Sequence, residues 1–284
     1  MVKWMQSVVP ISNFGFFQIA LMEVNTARGW SHPPLWRGHD DASWLVTPGI
    51  FREPGFDEGD EGSMLATFIG RGCMRLARHP PVRDRVAWIH LAQHYGLPTR
   101  LLDWSLSPLV ALYFAVQDET LHHKDGCVWG LYPYALNLLQ VQTNAVLAAT
   151  NRRVKPLIDA AFDSEASKPE AKVIATMAAE TDFRMYVQQS AYTIHSTAES
   201  LNDPEPLTDG NGPAPMMYKF IIPAASKEAM KAWLRVAGIS RASLFPDLTN
   251  LTNDMKERTA SDRLRGVDSS NTVQRDLFFD VTDQ

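Results

Sequence analysis

A single mixed α and β domain is what this sequence predicts, on three observations. Short runs rich in β-branched and aromatic residues, at 126–132, 192–194 and 217–222, read as strands. Stretches with apolar residues at helical spacing, at 64–76 and 109–116, read as helices. The two kinds alternate along the chain rather than segregating. A chain of 284 residues buries about three quarters of its unfolded surface and needs no disulfide or metal to hold a core.

In chain order, Pro33-Pro34 breaks the chain ahead of Leu35-Trp36-Arg37-Gly38, which places a strand end at Trp36-Arg37. The acidic stretch 57–61 opens a helix that carries Met64, Leu65, Phe68, Ile69, Met74 and Leu76 toward Arg78. Arg71, Arg75 and Arg78 fall at i, i+4 and i+7 on it, either as a solvated face or as phosphate contacts. Pro80-Pro81 ends that helix, and Val86, Ile89, His90 and Ala92 carry a second one that stops near Gly96. Pro98 and a crowd of polar groups make 97–105 a folded, specific loop. Ser107 then caps a buried helix with Pro108 in its first turn and an apolar surface nearly all round. Further on, the proline-rich stretch 202–215 forms an exposed loop, and 225–237 is a helix with Gly238 as its C-terminal cap.

Lys and Arg number 27 against 32 Asp and Glu, a formal charge of -5. This argues against coating nucleic acid by bulk charge while leaving room for a local basic groove. Cys73 and Cys127 are the only cysteines, and the N-terminal stretch shows no cleavage site after an apolar run, so a reduced, cytoplasmic protein is expected. The longest apolar runs fall well short of the roughly 18 residues of a membrane helix, so no membrane association is expected. His90 and His94 share a helix face, but Leu91 stands where a zincin needs Glu, and no metal is expected. Phosphate-loop, dinucleotide-binding and serine-hydrolase motifs are all absent.

The unusual segment is 93–105, where many hydrogen-bonding side chains sit between two apolar helices. Burying them costs free energy unless they are paired. One reading is a polar network that fixes the loop, with Arg100 answering the charge of Asp103. The other is that His94, Tyr95, Arg100 and Asp103 converge with Arg37 on a concave site, where arginine forks hold a phosphate or carboxylate. A third pairs His94 with Asp103 as the general acid and base of a hydrolase or nuclease.

The stretches Leu35-Trp36-Arg37-Gly38, Pro48-Gly49-Ile50-Phe51-Arg52, QHYGLPTRLLDWS and Ser107-Pro108 through Phe114-Ala115 resemble the FRG-domain family. The resemblance continues through Arg184, Gln188 and Tyr192 to Leu244-Phe245-Pro246-Asp247-Leu248, roughly residues 20 to 258. It implies an FRG domain with an N-terminal helical extension over 1–258, and a polar tail over 259–284. Trp36, Ser105 and Ser190 depart from the family's usual Phe or Tyr, Thr and Gly.

A second resemblance is to ADP-ribosyltransferases of the Arg-Ser-Glu type, through Trp36-Arg37-Gly38 and Ser105-Leu106-Ser107. It implies an α+β fold with a central split or curved sheet flanked by helices, and NAD as substrate. Arg37, His94, Tyr95, Asp103 and Gln188 are then the catalytic candidates. Arg37, Gly38, Thr99, Arg100, Ser105 and Ser107 are the NAD-binding ones, and Tyr95 or Trp104 stacks on the nicotinamide. Gln188-Gln189 stands where those enzymes carry Glu, with Asp103 or Glu180 as substitutes. The implied activity is that of a toxin or anti-phage effector modifying a nucleic acid or protein, with a neutralising antitoxin as partner. The alternative is a noncatalytic module that binds a nucleotide, nucleic acid or protein.

Overall fold

The computed structural model describes residues 11–28, 33–52, 54–56, 58–163, 169, 172–177, 183–201 and 216–264. The 202–215 loop, Glu180 and the end of the tail lie outside the described residues. One compact unit runs to Ile239 and a second from Ser240. The first holds α1 (Phe14–Arg28), β1 (Leu35–His39), α2 (Gly49–Arg52), α3 (Glu58–Gly72), α4 (Arg85–His94), β2 (Leu101–Ser105), α5 (Pro108–Val116) and β3 (Gly126–Leu131). It continues with α6 (Pro133–Val141), β4 (Leu147–Ala148), α7 (Lys155–Phe162), β5 (Val173–Met177), α8 (Phe183–Val187), β6 (Ser190–His195), β7 (Met217–Ile222) and α9 (Lys227–Val236). The second holds α10 (Arg241–Leu244) and α11 (Leu248–Leu264).

The architecture is α+β, with one mixed seven-stranded sheet in the order β4-β5-β6-β2-β1-β3-β7 flanked by helices. Among the described residues only β4 and β5 pair in parallel. The sheet is weakest in its middle. β2 and β6 register over five pairs and β1 and β3 over five, but β1 and β2 over one, Trp36 with Ser105. Past that pair the two central strands part company.

Helix α5 bears on this junction. The Ser107 side chain accepts from Val110 N at its start, and Pro108 pre-sets the first turn. Val110, Ala111, Leu112, Ala115 and Val116 are all buried. The helix lies so close to the sheet that a Cβ on Gly38 would stand 1.9 Å from the Ala111 carbonyl oxygen, and one on Gly126 2.3 Å from that of Ala115. Glycine at both positions is a demand of packing.

Helices α3, α4 and α7 bury Leu65, Ile89 and Leu157 against Leu101, Ile174 and Ile194 of the sheet. Each such side chain contributes about 1.5–3 kcal/mol on burial. An ion pair sits at this core. Glu61 is 0% exposed and Arg100 2%. Arg100 N–H donates to Glu61 Oε1 at 2.8 Å, its Nε donates to Oε2 at 2.7 Å, and its Nη2 donates to the Ala160 carbonyl at 3.0 Å. Arg100 therefore answers Glu61 and not Asp103, because only Glu61 shares its desolvated position.

Two local expectations need correction. The α3 helix stops at Gly72 rather than near Arg78, where Gly70 and Gly72 weaken it and the face of Gly72 meets the Trp88 ring. Arg75 lies in the following turn, its Nη1 donating to the Arg71 carbonyl at 3.1 Å. Residues 101–105, expected within a loop, form strand β2, because Leu102 and Trp104 bury one face while Asp103 and Ser105 alternate with them.

Gly38→Ala is expected to cost at least about 3 kcal/mol through overpacking against α5. That lowers Tm by about 6 °C or more for a domain of this size, read by calorimetry. A melting temperature within about 1 °C of the parent would contradict the close approach of α5.

Candidate functional site

The parting of β1 and β2 opens a cleft of about 190 Å³. Its floor is Arg37 and Gly38 on one strand and Asp103, Trp104 and Ser105 on the other. One wall is α5, through Val110, Ala111 and Phe114. The opposite wall is Arg184 of α8, with Gln188 in the turn after it.

Arg37 spans the gap in the floor. Its Nε donates to His39 Nε2 at 3.0 Å and its Nη1 donates to the Asp103 carbonyl oxygen at 2.6 Å. Both acceptors are neutral, and among the described residues no carboxylate forms an ion pair with it. Burial pushes its pKa down to about 10, with the Asp103 carboxylate pulling the other way and Arg52 adding to the fall. It stays charged at neutral pH as a half-buried cation whose hydrogen-bond acceptors are neutral, with the Asp103 carboxylate acting on it only at longer range.

His39, buried two residues further along the strand, projects on the same side as Arg37. Burial, then Arg37 and Arg52, push its pKa down to about 2. It is neutral, so Nε2 accepts from Arg37 and the proton sits on Nδ1. His195, fully buried, is pushed to about 3 by burial and by Arg37. Its Nε2 lies 2.9 Å from Thr193 Oγ1, which accepts from Trp104 Nε1 at 3.0 Å. This chain holds the Trp104 ring beneath the cleft.

Asp103 is oriented from the side of α4. Its Oδ1 accepts from Gln93 Nε2 at 2.8 Å, and Gln93 Oε1 accepts from Thr99 Oγ1 at 2.5 Å. Ser105 Oγ donates to the Gln188 carbonyl at 2.7 Å and accepts from Ser107 N at 3.0 Å. That pins the α8 turn against the end of β2. In the same turn Gln189 has a φ of +48°, a left-handed conformation that glycine adopts without strain and other residues do not.

Of the candidates named from sequence, Arg37, Gly38, Asp103, Ser105 and Gln188 meet in the cleft. Thr99 and Arg100 are buried in the networks described above. Ser107 caps α5. The His94 carbonyl accepts from Arg184 Nη1 at 3.4 Å. Tyr95 is 63% exposed at the end of α4, its ring 6.3 Å from that of Phe68. Neither His94 nor Tyr95 lines the cleft. His90 is in the core with Nδ1 2.7 Å from the Val86 carbonyl. Among the described residues no cluster of three His, Cys, Asp or Glu side chains is placed to hold a metal, and no helix is long and apolar enough to cross a membrane. Sequence reasoning missed Phe114, which reads as core on an apolar helix. It also missed His39, which strand alternation from Arg37 was enough to locate.

Inorganic pyrophosphate at about a hundred times its Kd is expected to stabilise the protein by about 2.7 kcal/mol, raising Tm by about 5 °C or more. Arg37→Met should abolish that rise, and an equal rise in both proteins would mean that the anion binds away from Arg37. The histidines predict an acid response. The unfolded chain takes up protons below its ordinary histidine pKa of about 6.5, while native His39 and His195 do not. Stability is then complete above that pH and falls as pH drops toward 4, by about 1.4 kcal/mol per unit for each histidine. Urea unfolding at several pH values should show the slope, and His39→Gln should reduce it by one histidine's share. An unchanged slope would mean that His39 is not buried neutral.

No curated protein and no solved structure matches the chain. A family model, that of the FRG domain, matches residues 32–124. This is narrower than the 20–258 span of the motif resemblance, and it stops short of Arg184 and Gln188. It runs from just ahead of β1 to the loop after α5, and so includes the cleft floor and the α5 wall. The chain therefore contains an FRG domain, over residues 32–124.

Proposed function

We propose that the chain is an NAD-dependent ADP-ribosyltransferase-like effector, a toxin or anti-phage defence protein. It takes NAD as substrate in the β1–β2 cleft and passes ADP-ribose to a nucleic acid or protein. The observation that carries this reading is the charge on Arg37, half-buried in a cleft and held only by neutral acceptors. Such a cation binds an anion more strongly than a solvated one does, and a guanidinium fork suits a phosphate pair. A cleft of about 190 Å³ encloses one end of a dinucleotide and leaves the other at the surface.

In this reading Arg37 holds the pyrophosphate, with Arg184 facing it, and the Phe114 ring packs on the nicotinamide. The glycosidic bond to nicotinamide breaks, nicotinamide leaves with the bonding electrons, and C1′ of the ribose becomes oxocarbenium-like. Asp103 is the carboxylate of the cleft lining and stabilises that charge. The Gln188 amide hydrogen-bonds a ribose hydroxyl. The acceptor nucleophile bonds to C1′ and its proton passes to Asp103 or water. A cytoplasmic location and a neutralising antitoxin belong to the same proposal, since such an effector consumes NAD in its own cell.

The second reading is a noncatalytic FRG module that binds a nucleotide in the same cleft. The amide at Gln188, where transferases of this type carry Glu, favours it. The two part in one assay with labelled NAD and cell extract, following nicotinamide release and label in protein and nucleic acid. The expected outcome is release and labelling by wild type, with losses of about 10²–10³-fold in Asp103→Asn and complete loss in Arg37→Ala. NAD binding without release would establish the module instead.

A further inference from the structure

Beside the segment 94–105, and away from the cleft lining, α3 carries a second concavity of about 520 Å³. Its floor is apolar, with Met64, Phe68 and Leu97, and its rim is basic, with Arg71 and Arg75. Tyr95 stands next to it with its ring packed on Phe68 and 63% of its surface exposed. An exposed aromatic ring, an apolar floor and two guanidinium groups form one surface.

Each part has a ligand counterpart. A flat ring open to solvent offers a stacking platform to any base, and the arginines offer charge to phosphates on either side of it. The formal charge of -5 on the whole chain supplies no general attraction to a polyanion. Binding therefore depends on the local pair of arginines and a short footprint. A duplex, whose bases are already stacked on each other, presents no free face to Tyr95. An acidic peptide would satisfy the arginines and leave the ring and the apolar floor unused.

We infer that this groove docks a single-stranded nucleic acid, and that this strand is the acceptor of the transferred ADP-ribose. The acceptor assignment rests on the transferase reading above; the docking does not. The His94-Tyr95 end of α4 links the two sites, because the His94 carbonyl is held by Arg184 of the cleft wall.

The test is fluorescence anisotropy with a labelled mixed-sequence single strand and no NAD present. Two phosphate contacts predict an affinity that weakens about sevenfold between about 50 and 200 mM salt. Tyr95→Ala should weaken binding at least about fivefold, with Tyr95→Phe close to wild type. Arg71→Ala should weaken it and flatten the salt dependence. Both side chains are exposed, and a thermal melt of each variant checks that it is folded. Absence of strand binding, binding indifferent to Tyr95→Ala and Arg71→Ala, or equal binding of the matching duplex or of polyglutamate would overturn the docking. With NAD and extract added, label on nucleic acid supports the acceptor assignment. Label confined to protein overturns that assignment and leaves the transferase reading standing.

Discussion

The sheet is joined across its middle by one backbone pair, Trp36 with Ser105, and beyond it the link between β1 and β2 passes through a side chain. Arg37 reaches over the opening and donates to the Asp103 carbonyl, so the cleft and the clamp that closes its floor are the same feature. The rest of the structure around the site follows from keeping that opening stable. Helix α5 is pressed onto β1 at Gly38, which fixes the strand that carries the arginine. His39 stays neutral under burial, which keeps its Nε2 an acceptor for the guanidinium. Ser105 ties the far wall to the end of β2.

Two arginines show how environment separates support from chemistry. Arg100 is desolvated and paired with Glu61 and the Ala160 carbonyl, and a buried ion lacking such partners would cost several kcal/mol. Its donors face the protein, so it acts as a clasp between α3, α7 and the start of β2. Arg37 is only partly removed from bulk water, and its hydrogen-bond partners are uncharged. A positive charge left this way is a standing cost to the fold, and an incoming anion relieves it.

Much of this was legible in the sequence where one periodicity dominated. Helix α5 announced itself through Ser107, Pro108 and an apolar surface, and β3 and β7 through their β-rich runs. Strand β2 did not, because Asp103 and Ser105 sit within it and the preceding Pro98 speaks for a loop. The end of α3 was hidden because Met74 and Leu76 continue the helical period past Gly72, where the chain in fact turns against Trp88. Helices α6 and α7 and strands β4 and β5 carry no comparable signal. At the site, Arg37, Gly38, Asp103, Ser105 and Gln188 were named from motifs. What separated them from Arg100 and Thr99 was long-range pairing. Glu61 is 39 positions from Arg100 along the chain, and no local pattern connects them.

On the proposed function, the β1–β2 cleft is a phosphate-reading nucleotide site organised by Arg37. A crystal structure with ADP-ribose bound tests it most directly. The pyrophosphate is expected within hydrogen-bond distance of the Arg37 guanidinium, about 3 Å, with a ribose between Asp103 and Gln188. A ligand bound elsewhere, with Arg37 still bonded only to His39 and the Asp103 carbonyl, would contradict it.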